Sequence, residues 1–183
     1  MLEYKGTRIR PLRMDDLDNI MSWVNDKEVV GRYAYFTRPF TREEEAIWLE
    51  EKIKSKTDIF YAVENDKEQY LGNVAIEKIH WPAKHGRLSI TIGNKQERGK
   101  GHGYRAINLL LDRAFNEHGL HKIYLIVAVD NSRSMHLFQK CGFTREGQLK
   151  DHYIINGKFI DMYIMRILDD EFKKINEKER IIL

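Results

Sequence analysis

Cysteine and proline are scarce, with one and three among 183 residues. The single thiol, Cys141, cannot close an intramolecular bridge, and no Cys/His spacing resembles a zinc site, so no metal and a reducing, intracellular setting are expected. Also missing is any apolar run approaching the ~20 residues that span a bilayer. The opening Met1-Leu2-Glu3-Tyr4-Lys5 lacks the apolar centre of a signal peptide, which points to a cytoplasmic protein without a membrane partner. Charge of one sign is massed nowhere: 31 Lys and Arg are interleaved with 28 Asp and Glu, a formal net charge of +3. Dedicated nucleic-acid binders draw affinity from clustered cations, so no nucleic-acid partner is expected, although a local anion site is compatible with this composition. No repeat, linker or low-complexity stretch divides the chain. Residues 1–183 read as one domain, large enough for its own core, with residues 169–183 a charged tail or short surface helix.

The periodicity of apolar residues supplies the elements. Thr7 to Leu12 alternates as a strand, and Leu17, Ile20, Met21 and Val24 have helical spacing within Met14 to Val24. Thr41 is an N-cap with Glu44 three residues on, opening a helix through Ala46, Ile47, Trp48 and Ile53. Ile59 to Val63 and Tyr70 to Ile79 flank a polar turn, and Arg87 to Ile92 is a third strand beside them. A helix from Tyr104 to about Glu117 precedes the near-continuous apolar run Lys122 to Val129, a central strand. A short helix from Ser132 ends at Cys141, with Gly142 as a left-handed cap. Thr144 to Ile155 and Lys158 to Ile167 form a hairpin at Asn156-Gly157. The fold class is α/β, a mixed and mostly antiparallel sheet flanked by helices.

Between the third strand and the long helix lies Arg98-Gly99-Lys100-Gly101-His102-Gly103. Three glycines expose backbone N–H groups at a helix N-terminus, and two cations flank them, which is the chemistry of a diphosphate site. Gly101-x-Gly103-x-x-Ala106 also fits a dinucleotide fingerprint. Five polar residues, Asn94 to Arg98, separate it from the strand, where such folds place the first glycine at the strand end. The remaining alternative is a loop that merely turns the chain.

Three segments resemble the GNAT superfamily of N-acetyltransferases: the glycine turn, the stretch Asp130 to Phe143 with an Asn and a Ser ahead of a short helix ending in Gly-Phe, and Leu120 to Tyr124 where the family's central strand begins. Leu120 to Met165 is similar to bacterial spermidine N-acetyltransferases and to their ribosomal-protein N-terminal acetyltransferase relatives. The resemblance implies a single-domain GNAT fold, acetyl-CoA as co-substrate, and direct attack by a primary amine. It also implies that a polyamine, or in the alternative a protein N-terminus or an amino sugar, accepts the acetyl group. A domain that binds acetyl-CoA without turnover is the reading outside the enzyme class. Relatives of this kind pair through their C-terminal strands, here Tyr153 to Tyr163, so a homo-oligomer is implied. The aromatic and acidic segment of the spermidine enzymes is replaced here by Arg32-Tyr33-Ala34-Tyr35-Phe36-Thr37-Arg38-Pro39-Phe40.

By the same resemblance, the cofactor lies on Arg98, Gly99, Lys100, Gly101, His102, Gly103 and Tyr104. It also reaches Asn131, Ser134, Phe138 and Lys140, and the backbone of Ser89, Ile90, Thr91 and Ile92 on a strand that splays from its neighbour. Ile92 is the oxyanion donor. Asn131 and Ser134 equally suit a helix cap. Phe138 stands where the family often places a tyrosine that protonates the departing thiolate, leaving water, Tyr153, Tyr104 or Cys141 for that step. Glu77 is the general base through water, with His80 second and a neutralised strand carboxylate the plainer alternative. Glu43, Glu44 and Glu45 could attract a polycation, although they read first as solvated first-turn charges that favour the helix dipole.

Overall fold

A computed structural model describes residues 2–31, 38–155 and 157–179. Strands β1 (Leu2–Tyr4), β2 (Thr7–Pro11), β3 (Ile59–Asn65), β4 (Tyr70–His80), β5 (His85–Ile92), β6 (Lys122–Ala128), β7 (Thr144–Ile155) and β8 (Lys158–Leu168) form one sheet in the order β1-β2-β3-β4-β5-β6-β8-β7. Every pairing is antiparallel except β5 with β6. Helices α4 (His102–Asp112), α5 (Ser132–Lys140) and α6 (Asp169–Glu179) contribute to a core with the inward faces of β4, β5, β6 and β8; α1 (Leu17–Val24), α2 (Lys27–Val30) and α3 (Arg42–Lys54) build a second core around Ala62 and Tyr70. The mixed α/β arrangement read from periodicity is thus the one found.

Three elements depart from that reading. β1 precedes the first expected strand, joined to β2 by Lys5 and Gly6 with φ of 45° and 75°, the two positive φ values of a tight hairpin turn. α2 lies beyond the expected end of the first helix and is capped by the Asp26 carboxylate accepting from Glu28 N–H. The charged C-terminal stretch is a docked helix, since Phe172 is fully buried against Phe115 at 5.4 Å between ring centroids. One apolar side chain per turn, Phe172 and Ile175, suffices to seat it despite its charge.

Elsewhere the local chemistry forms as read. Thr41 and Glu44 make a reciprocal capping box at the start of α3. Gly142 has φ 89° after α5. At the β7–β8 hairpin Gly157 has φ 75°, and Asn156 lies outside the described residues. The second core rests on a buried ion network: Arg10 donates to Asp16 at 2.7 Å and to Glu64 at 2.6 Å, and all three are buried. The Asp16 bond and its charge hold the Arg10 guanidinium still further above its ordinary range.

Candidate functional site

The site is a fork in the sheet. β5 and β6 run side by side only from His85↔Lys122 to Arg87↔Tyr124; β6 then continues to Ala128 against β8, and β5 continues to Ile92 against β4. At the closed end, His85, Lys122, Tyr124, Glu146 and Ile164 line a cavity of about 230 Å³.

The phase of the β4–β5 ladder decides which backbone groups face the fork. Gly93 N–H donates to Leu71 C=O at 2.8 Å, on either side of the Gly72↔Ile92 pair. In an antiparallel ladder that pattern makes Gly72↔Ile92 a non-hydrogen-bonded pair, so the N–H and C=O of Ile92 point away from β4, toward the fork. Alternation gives Ile90 the same direction, whereas the backbone groups of Ser89 and Thr91 point toward β4. This corrects the expectation that all four residues offer backbone groups to a ligand. The side chains of Ile90 and Ile92 lie near Gly103 on the α4 face. Alternation puts those of Ser89 and Thr91 on the opposite face, with Glu77 and Arg87.

Gly72 is what allows this close ladder. A Cβ there would lie 1.9 Å from the Thr91 carbonyl oxygen, and its φ is 155°. At the other end of β4, Glu77 pairs with Arg87 at 3.3 Å, beside a bulge where Lys78 has φ 52°. The expected base is therefore a partly neutralised carboxylate, its partner being Arg87 on β5. The His80 ring stacks on His85 at 5.4 Å and accepts from Ala83 N–H.

At the open end stands the glycine turn. Gly99 and Gly101 have φ of 81° and 86°, and Gly101 is the residue from which α4 starts. Consecutive N–H groups there converge at the positive end of an eleven-residue helix. Arg98 braces the turn: Nε donates to Ile92 C=O at 2.8 Å and Nη1 to Glu28 C=O at 3.3 Å. Lys100 pairs with Glu97 at 2.9 Å, and this pair and bond hold the Glu97 carboxyl below its usual range.

The His102 side chain turns inward, leaving only its backbone N–H at the turn. Arg105 Nε donates to Thr7 Oγ1 at 2.7 Å, Thr7 Oγ1 lies 2.8 Å from His102 Nδ1, and His102 Nε2 lies 3.3 Å from Glu97. With the Thr7 hydroxyl proton on Nδ1, the ring carries its own proton on Nε2. Burial, then the Arg105 charge, pushes its pKa down and keeps it neutral.

Other expected residues are scattered more widely. Asn131 caps α5, its Oδ1 accepting from Ser134 N–H at 3.2 Å. Phe138 is buried edge-on to Phe143 at 6.0 Å, a packing residue. Tyr104 lies beneath Lys140, whose Nζ is 5.0 Å from the ring centroid. Tyr153 sits on the part of the β7–β8 ribbon that extends past β6, paired with Ile160, so it is not brought to the fork. Burial raises the Cys141 thiol to about 12, too weak an acid to protonate a departing thiolate.

One residue was misjudged from sequence. Glu45 is 6% exposed, on the Leu49 side of α3, and no cation or hydrogen-bond donor pairs with it among the described residues. Desolvation, then the neighbouring Glu44, raises its pKa. Its i, i+4 spacing from the fully buried Leu49 was the clue available in the sequence. Glu44 is instead held by Arg38 at 2.5 Å, which pulls its pKa down to about 2. Residues 32–37 of the replaced aromatic segment lie outside the described residues.

Comparison with known proteins shows the family and the fold. Residues 7–144 match the model of the acetyltransferase (GNAT) domain. The chain is 31% identical over 170 residues to spermidine N(1)-acetyltransferase of Vibrio cholerae, covering 92% of this chain and 96% of that one. It is 31% identical over 168 residues to the Escherichia coli K12 enzyme of the same name, covering 91% and 88%. A crystal structure of the Vibrio cholerae spermidine N-acetyltransferase in complex with CoA and spermine superposes with a TM-score of 0.85 at 29% identity, covering 93% of this chain and 99% of that one.

Proposed function

Because the chain belongs to the GNAT acetyltransferase family, we propose that it moves the acetyl group of acetyl-CoA onto a primary amine, with a polyamine of the spermidine type as acceptor. The observation that carries the reading is the fork with the glycine turn at its mouth: a strand end directed at an open edge, beside a helix N-terminus built for a diphosphate.

The N–H groups of residues 99–103 cradle the diphosphate, with Arg98 and Lys100 adding charge. The pantetheine arm lies along β5 in the fork. Ile92 N–H, held in place by Gly72 on one side and by Arg98 on its carbonyl, meets the thioester oxygen as it becomes anionic. A preorganised donor of this kind lowers the barrier by about 3 kcal/mol. Asn131 and Ser134 fix the start of α5 against the arm.

An alkylammonium must lose a proton before it attacks, because its pKa lies far above neutrality. Glu77 takes that proton through water, and Arg87, 3.3 Å away, aims its carboxylate. The free amine forms the C–N bond at the thioester carbon, the C–S bond breaks, the attacking nitrogen releases its extra proton to water, and coenzyme A leaves as a thiolate that is protonated by water. Phe138 has no proton to give.

A cationic acceptor is supported by Glu45. Nothing among the described residues pairs with this buried carboxylate, which is costly unless a cation arrives, and a polyamine brings several. The names and coverage of the relatives point the same way.

Steady thiol release from acetyl-CoA over spermidine, a peptide with a free N-terminus and glucosamine tests the reading, with spermidine expected to have the highest kcat/KM. Turnover of the peptide alone would reassign the acceptor. Tight CoA binding without turnover of any amine would overturn the enzyme.

A further inference from the structure

A gap separates the proposed base from the point of attack. The pairs Asn73↔Thr91, Ala75↔Ser89 and Glu77↔Arg87 share one face of the β4–β5 ladder, the face turned to α1 and α3. Glu77 is therefore four residues, about 13 Å of strand, from Asn73, whose partner Thr91 adjoins Ile92. No single water spans that length, so the water nearest the amine needs a holder of its own.

Asn73 occupies that place. It is 9% exposed, and Trp23 of α1 roofs the same corner, since a Cβ on Gly93, the residue after Ile92, would come within 2.3 Å of the indole ring. The Tyr70 hydroxyl donates to Asn73 Oδ1 at 2.7 Å in a buried contact. Burial, then the Asp16 charge, holds the Tyr70 phenol well above its ordinary range, so it stays a donor and the amide keeps one orientation. The charged groups that act on Tyr70, Asp16 and Arg10, are paired with each other. The amide nitrogen, by contrast, pairs with nothing among the described residues and is not sealed from open space. Two N–H donors on a nine-tenths buried side chain call for a lone pair. A polyammonium acceptor offers none, which leaves water to supply it. Midway to Glu77, the Ser89 hydroxyl also makes no hydrogen bond among the described residues.

We infer that Asn73 is a positioning residue for amine deprotonation: its amide holds the water that receives the proton of the attacking ammonium, with Ser89 as the next step toward Glu77. The ammonium N–H bond breaks toward that water, a proton passes along the chain to the Glu77 carboxylate, which becomes the neutral acid, and the nitrogen keeps the electron pair with which it attacks. An amide suits the place because it is neutral. A carboxylate there would pair with the ammonium and hold its proton on, and an apolar side chain would leave the water unheld.

The inference rests on the acetyl-transfer reading above, and kcat/KM for spermidine between pH 7 and pH 10 separates the two. Asn73→Ala should fall about tenfold or more near pH 7 and come within about twofold of wild type near pH 10, where the amine loses its proton unaided. Tyr70→Phe, which frees the amide to turn, should show a smaller loss with the same dependence on pH. Asn73→Asp keeps the shape and the Tyr70 bond, and serves as well where the alanine variant does not fold. It should lower kcat near pH 7 while the KM for spermidine holds or falls. CoA affinity by calorimetry should be unchanged in all three variants. A loss that is uniform across pH, or one that travels with CoA affinity, would overturn the assignment and leave acetyl transfer standing. Absence of turnover in the wild-type chain would overturn acetyl transfer itself and the assignment with it.

Discussion

On the α4 side of the sheet the fork is shaped by backbone: three glycines in a turn, a strand end aimed by ladder phase, and a carbonyl held by Arg98. The α1–α3 side of the sheet relies instead on ionisable side chains, with Glu77 against Arg87 beside the fork and, on α3, Glu44 against Arg38 and Glu45 buried with no partner among the described residues. The first kind of site depends on backbone conformation, with φ of 81° and 86° at Gly99 and Gly101, and on the space that a Cβ at Gly72 would fill. The second tolerates changes of shape and responds to protons. A cofactor common to many enzymes is held by the first kind, and a variable acceptor by the second.

The most damaging single change should fall on the backbone side. Gly72→Ala forces a Cβ into the Thr91 carbonyl, so a loss of about 3–4 kcal/mol in urea unfolding is expected. Retention of wild-type stability would mean that β4 and β5 can part freely, and the contrast with the acceptor side would collapse. Next in size is Arg98→Ala, which removes both a charge and the brace on Ile92. CoA affinity by calorimetry should fall about tenfold, with kcat reduced as well because the oxyanion donor loosens. A fall in affinity with kcat unchanged would reduce Arg98 to a phosphate ligand.

The smallest effect belongs to the acceptor side and carries a pH signature. Glu45 has a raised pKa, so the folded state favours its protonated form. Whatever that group contributes to stability is greatest below the ordinary carboxylate range and declines as pH rises through it toward the raised value. In urea unfolding, Glu45→Gln should match the wild-type stability near pH 4 and exceed it near pH 8 by about 1 kcal/mol. The same variant should raise the KM for spermidine severalfold while the KM for acetyl-CoA holds. A stability gain that is flat with pH would place the carboxylate in water.

The two sides also differ in how far the sequence discloses them. The turn at Arg98 to Gly103, the Asn131 cap and Gly142 are local devices, in which residues three or four apart satisfy one another, so their chemistry is written in the spacing. Ladder phase is not local. Nothing in Ser89-Ile90-Thr91-Ile92 says which pair of residues bonds to β4, because that depends on a partner strand twenty residues back. Glu45 went unrecognised for a related reason: its first-turn position favours a solvated charge, and only the packing of α3 on α1 and the sheet buries it. α6 reads as a charged tail or short surface helix, and its docking goes unseen because one Phe and one Ile among so many charges carry little periodic weight, yet the groove beside Phe115 needs no more.

The bulge beside Glu77 carries a consequence for sequence drift. Between Glu77↔Arg87 and His80↔His85, β4 spends two residues, Lys78 and Ile79, against the single Gly86 of β5. A residue gained or lost in this hairpin is either absorbed by that mismatch or passed along β5 as a slip of one. A slip of one would exchange the two faces of β5 and turn the Ile92 amide into the β4 ladder. A hairpin lengthened by one residue thus keeps its site only where this mismatch takes up the change; passed along β5, the same insertion would silence the enzyme without altering any residue of the site.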